Sequence, residues 1–145
     1  MHFLLRELLE VGLPEGNFAL FGSGPLMVRG WIKDAGDLDV IARGTAWDYA
    51  KRIGQLSRLD QYGIDLVSIG EHITIGTAWG IGDFSVGTLI DEAEMIDGIP
   101  CVQLKHIITY KRLADRPKDR VHLAAIEEHQ RLGAPRPISR VRPDP

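Results

Sequence analysis

Two short runs have residue types and a separation suited to holding a metal-bound phosphate. The first is Gly22-Ser23-Gly24, and the second, with Asp37 lying 14 positions beyond Ser23, is Asp37-Leu38-Asp39. Side chains at i and i+2 of a strand project from one face, so both aspartates can offer oxygen to a hard divalent cation. A glycine-rich turn lets backbone approach a phosphate, and a helix that follows it brings unpaired N–H groups. Ser23 adds a hydroxyl donor. Phosphate and metal then belong to one ligand, a Mg²⁺-nucleoside triphosphate. Its phosphates would meet Gly22 and Ser23, and its metal Asp37 and Asp39. Each run alone is commonly just a turn or a strand edge; the pair, in the order strand, turn, helix, strand, is much less common.

The elements that must position these runs can be read on either side of them. Residues 17–21 form a compact apolar run stopped by the glycine turn, which predicts a buried strand. A helix begins at 26–31. After a turn at 34–36, a second strand at 37–42 turns Leu38, Val40 and Ala42 one way and Asp37, Asp39 and Ile41 the other. Upstream, Leu4, Leu5, Leu8 and Leu9 recur at helical spacing within 3–11, and Gly12 and Pro14 close that helix. Downstream, Thr45 caps a helix whose apolar stripe is Trp47, Ala50, Ile53 and Leu56. Residues 64–69 and 73–79 predict a hairpin across Gly70-Glu71-His72, and 86–93 a helix. Residues 99–102 predict a short edge strand, because Pro100 cannot donate to a ladder. Helices at 104–112 and 121–132 are joined through 115–119. The expected class is α/β (α+β): a small mixed sheet flanked by helices, its cleft at the ends of the first two strands. Residues 1–132 make one domain. The stretch 133–145, with four prolines and Arg136, Arg140 and Arg142, has a composition that cannot support a packed core and predicts a mobile tail.

A formal net charge of -3 excludes strong global attraction to nucleic acid. The single cysteine, Cys101, cannot form an intramolecular disulfide, which fits a reducing, cytoplasmic setting. Glu7 and Glu10 interrupt the apolar N-terminal run before it can resemble a signal peptide, and no segment is long enough to span a bilayer. His72, His106, His122 and His129 show no metal spacing, and Cys101 has no partner that would make it a nucleophile. Trp31, Trp47 and Trp79 read as packing residues, with stacking on a base as a second role for Trp79.

Phe18-Ala19-Leu20-Phe21-Gly22-Ser23-Gly24, followed by Arg29-Gly30 and Asp37-Leu38-Asp39-Val40, resembles the signature of the nucleotidyltransferase superfamily. That superfamily includes polymerase-β-like enzymes, minimal nucleotidyltransferases and antibiotic-modifying transferases. Residues 104–122, with Lys111, Arg116, Lys118 and Asp119, also resemble a segment that recurs in its small members. The resemblance implies that Gly22 and Ser23 bind triphosphate, that Asp37 and Asp39 hold two Mg²⁺ ions, and that a later strand supplies a third carboxylate. Asp65 is available for that place. The strand beginning at Ile73 carries no acid; if it is the equivalent one, Thr74 or Thr77 stands in the acid's place and a base would come from Asp83 or Glu71. Arg29 would reach the phosphates. Lys111 and Lys118 would neutralise phosphate charge or hold an acceptor, or else serve structure, and Arg116 and Asp119 would form a structural pair between two helices. The implied reaction moves a nucleoside monophosphate from a Mg²⁺-bound triphosphate such as ATP to an acceptor hydroxyl on a protein, a tRNA or a small molecule, releasing pyrophosphate. The alternative is a catalytically inactive binding module, an antitoxin-like or regulatory partner. A nucleic-acid accessory role for the arginine tail is a third, weaker reading.

Overall fold

The computed structural model describes residues 1–61, 63–78 and 85–133, so Trp79, Asp83 and the stretch 134–145 lie outside the described residues. The elements in chain order are α1 (Phe3–Val11), β1 (Phe18–Phe21), α2 (Gly24–Val28), β2 (Leu38–Ala42), α3 (Gly44–Ile53), β3 (Gln55–Leu59), β4 (Ile64–Ile69), β5 (Ile73–Gly76), α4 (Val86–Asp91), β6 (Glu94–Ile96), β7 (Ile99–Cys101), α5 (Leu104–Ala114) and α6 (Pro117–Gly133). The strands form one mixed sheet in the order β3-β4-β5-β2-β1-β7-β6. β1 runs antiparallel to β2, whereas β2–β5 and β1–β7 are parallel.

Strand alternation divides the interior into two layers. Phe18, Leu20, Leu38, Val40, Val67, Ile73 and Ile75 pack with Leu4, Leu5 and Leu8 of α1 and Ala46 and Ala50 of α3. On the other face, Ala19, Phe21 and Ile41 meet Leu89 and Ile90 of α4, Ile107 and Tyr110 of α5 and Ile126 of α6. Asp39 lies between Leu38 and Val40 on β2, so its side chain belongs to the α5–α6 face. No described helix is long and apolar enough to cross a membrane.

Thr45 does not cap α3, since the cap position is Arg43 and the Thr45 hydroxyl accepts from Asn17 at 2.9 Å; three further features depart from the sequence expectation for local reasons. Leu56 belongs to the exposed strand β3 rather than to the helical stripe, because α3 ends at Gly54 in extended conformation. A Cβ at Gly54 would lie 2.3 Å from Val67 Cγ1 and 2.8 Å from the Ser68 carbonyl oxygen, so only glycine lets the helix end rest on β4. The segment after α4 forms a two-stranded ribbon, β6–β7, turned by Asp97-Gly98 with φ 52° and 79°. Both turn residues in the left-handed region match the preferred two-residue hairpin, so β6 and not β7 is the edge strand. Pro100 is tolerated inside because β1 and β7 pair only through Leu20 and Cys101. Lastly, α6 starts at Pro117, where the fixed φ of proline suits a first helical turn, and it extends to Gly133.

Candidate functional site

β1 delivers its last residue, Phe21, directly opposite Asp39 of β2. The chain then turns at Gly22, which has φ +65° and whose imagined Cβ would lie 3.1 Å from Asp39 Oδ2. The missing side chain is what allows a carboxylate to rest against this turn. We expect Gly22→Ala to lower stability by about 1–2 kcal/mol through the left-handed backbone alone. It should also displace the Asp39 carboxylate, and urea denaturation of the unliganded protein measures the first effect. An alanine variant as stable as wild type would contradict this account of the turn.

Ser23 follows as the residue capping α2, but its side chain makes no cap bond. Its hydroxyl is drawn to the C-terminal helices instead, accepting a hydrogen bond from Lys111 Nζ at 2.8 Å and lying 3.1 Å from His122 Nδ1. Lys111 is fully buried and also donates to Asp119 Oδ1 at 3.2 Å and to His122 Nδ1 at 3.1 Å. Asp119, equally buried, accepts from Arg116 Nε at 2.6 Å, Arg116 Nη2 at 3.0 Å and the Arg116 backbone N–H at 3.1 Å. Burial alone would raise this carboxyl, yet the hydrogen bonds from Arg116 and Lys111 outweigh it and hold the group at about 2. Burial lowers Lys111, against the pull of Asp119. The Arg116 guanidinium lies 5.9 Å from the Tyr110 ring centroid, and that ring sits 4.8 Å from Phe21. One hydrogen-bonded chain therefore runs from the α5–α6 junction to the Gly-Ser turn.

Around Asp39 the electrostatics differ. Burial pushes its carboxyl up to about 6; Lys118, Arg116 and Lys111 oppose the rise, and Asp37 adds to it. Asp37 is exposed and immediately precedes β2. Lys118 is exposed, exerts the largest favourable charge on Asp39, and has no ion-pair partner among the described residues. Burial and the neighbouring Asp37 both raise the partly buried Asp39 carboxyl, a strain that a hard cation would relieve. The described residues hold no group of three or more His, Cys, Asp or Glu arranged for a metal, so a cation here would draw its remaining oxygens from phosphate or water.

The other predicted residues lie elsewhere. Arg29 donates to the Pro25 carbonyl at 2.9 Å, pairs with Glu94 of β6 and lies 5.5 Å from the Trp31 ring, so its guanidinium is already committed. Lys111 reaches Ser23, but its full burial and three engaged N–H groups make it a support for the turn rather than an open phosphate ligand. Asp65 does not join the cluster. The register Asp39↔Thr74 and Thr74↔Ser68 puts Ser68 on the face of Asp39 and Asp65 on the opposite one, where Arg58 of β3 holds it at 3.0 Å. The residue beside Asp39 is Thr74, while Thr77 follows β5 at its far end. Glu71 lies in the exposed turn before β5. We expect Asp65→Asn to change stability by less than about 1 kcal/mol, as for an exposed ion pair. It should leave any nucleotide-dependent thermal shift intact, and loss of that shift would return Asp65 to the site.

His122 is the contact that the sequence reading missed. It lies four positions after Lys118 and three after Asp119, hence on their face of α6, and that helical spacing was the only available signal. Compared with protein-family models, with curated proteins and with solved structures, the chain matches none.

Proposed function

We propose that the chain binds a Mg²⁺-nucleoside triphosphate between the Gly22-Ser23 turn and Asp37 and Asp39, and transfers the nucleoside monophosphate to an acceptor hydroxyl with release of pyrophosphate. The supporting observation is the Gly22 turn resting against Asp39 across the β1–β2 pair, with Ser23 next to it and Lys118 exerting the largest favourable charge on Asp39. Asp37 and Asp39 are the residues that would hold magnesium, whose chemistry is to neutralise phosphate charge and polarise the phosphoryl group. Ser23 donates its hydroxyl hydrogen to a phosphate oxygen while Lys111 holds its oxygen in place. Lys118 supplies a compact positive charge to the same phosphates. Asp119 and Arg116 keep Lys111 from relaxing out of position, which is the pre-organisation phosphoryl chemistry depends on.

One observation favours a second reading, a module that binds nucleotide without turnover. Thr74 occupies the register position next to Asp39, on the strand where a third acid would complete a transferase site. Thermal melting with Mg²⁺-ATP and Mg²⁺-GTP, and transfer of label from the α-phosphate to tRNA, protein and small alcohols, separate the two. A magnesium-dependent stabilisation of about 2.7 kcal/mol is expected at a hundredfold excess of ligand over Kd. Stabilisation with transfer supports the enzyme, stabilisation without transfer the module, and no stabilisation removes both.

A further inference from the structure

β3 closes one side of the sheet, and its outer row of backbone N–H and C=O groups faces no strand among the described residues. Such an edge is a template for another strand, and free edges are blunted by a proline, a lysine, a bulge or very short length. β3 has none of these. Gln55 to Leu59 pair with Ser68 to Ile64 in unbroken register. Its single charge, Arg58, is drawn back over β4 by Asp65 at 3.0 Å. Leu56 is 53% exposed, and Ile53 and Leu59, at 47% and 38%, stand exposed at the two ends of the strand. The other edge, β6, has only three residues and includes Glu94.

The edge that fits β3 is the β3 of a second copy. A two-fold axis perpendicular to the sheet sets the two strands antiparallel, with the same face of each copy on the same side. Residues that meet must share a face, so odd positions meet odd and even meet even. A centre at Ser57 would set Leu56 against Arg58, and a centre at Arg58 would bring two guanidiniums together. A centre at Leu56 has neither fault. Leu56 then meets its own mate, Gln55 meets Ser57, and Arg58 lies across from Gly54, which is extended and has no side chain. Just beyond, Leu59 of one copy approaches Ile53 of the other, and Asp60 approaches the last turn of α3, which holds Lys51 and Arg52. The Asp60 side chain is 94% exposed and reaches Arg58 only at 3.8 Å. Arg52 lies 5.6 Å from the Tyr49 ring and makes no ion pair among the described residues. Symmetry applies this match of charge twice. We propose that the chain forms a two-fold dimer in which two β3 strands pair antiparallel about Leu56, with Asp60 of each copy on the Lys51-Arg52 end of the other. The pairing lies two strands away from β2 and is independent of any nucleotide chemistry.

Sedimentation of the full chain at about 100 µM tests this, a concentration suited to a small interface of the weak class. Wild type should sediment with twice the mass of one chain. Leu56→Lys, which sets two like charges at the axis, should weaken association by about tenfold or more. Arg52→Glu and Asp60→Lys should each weaken the dimer, and the double variant should recover it, because the two residues meet across the axis. Cysteine crosslinking reads the register directly and needs no destabilising charge, and the native Cys101 is buried. Leu56→Cys should form a disulfide with its mate under mild oxidation, since opposed Cα atoms lie about 4.5–5.5 Å apart. Arg58→Cys should not, because its mate stands four residues further along the strand, about 13 Å away. A wild-type chain that stays monomeric overturns the proposal. So does a dimer that is indifferent to Leu56→Lys, or one that crosslinks through position 58 and not 56.

Discussion

Replacing Asp39 by asparagine is expected to abolish magnesium-dependent nucleotide binding while making the unliganded protein more stable at pH 7. The two effects have one cause. In the folded protein burial raises the carboxyl from 3.8 to about 6, so the fold prefers the protonated form. Stability from this group is fully present below 3.8 and is lost as pH rises through about 6. That difference is worth up to about 3 kcal/mol, and because an asparagine amide must still be partly desolvated, a gain of about 1–2 kcal/mol is expected. Urea denaturation from pH 4 to pH 7.5 should show the variant pulling ahead of wild type across that window and holding its lead above it. Thermal shifts with Mg²⁺-ATP should vanish in the variant. A less stable variant that still responds to Mg²⁺-ATP would show Asp39 to be a structural partner of Lys118 and Arg116 instead of a metal ligand.

Lys111→Met should have the opposite sign and a larger size. Lys111 and Asp119 are both completely buried, and removing the ammonium strips Asp119 of one of its cationic partners and Ser23 of its donor. Breaking a buried pair from one side costs about 3–5 kcal/mol, on the order of 10 °C in melting temperature for a chain of this size. The double change Lys111→Met with Asp119→Leu should recover part of that loss, since no buried charge is then left alone, although Arg116 loses its partner too. Asp119, held at about 2, also predicts a wild-type acid limb: its contribution is present above 3.8 and disappears as pH falls toward 2. Strictly additive single and double variants in urea denaturation would show that the two groups do not act as a pair.

The parts of the site set by neighbouring residues were legible in the sequence. Phe18 to Phe21 had to be a buried strand and Gly22 a turn, and the alternation Leu38, Asp39, Val40 placed one carboxylate off the apolar layer. The pairing of Arg116 with Asp119 between two helices was equally readable, because the partners are three positions apart. Asp65 was not, since its face depends on registers across two strand pairs that no local pattern reports. Nor was the end of α3 at Gly54, decided by how closely β4 approaches. Arg29 looked available beside the turn only because Glu94, 65 positions away, is invisible to local reading. The proposed transfer chemistry adds to these facts a ligand whose presence the melting experiments decide.

Ser23 meets Lys111 across 88 residues and His122 across 99. During synthesis the first two strands and their aspartates leave the ribosome long before α5 and α6 exist. The nascent sheet thus carries a half-built cleft with an unsupported hydroxyl. Closing so long a loop is entropically costly and is repaid only when the last helices dock. On the proposed function, competence for nucleotide would wait for α5 and α6 to dock. Any partner that held α5 and α6 off the sheet could keep a finished strand pair silent without touching it.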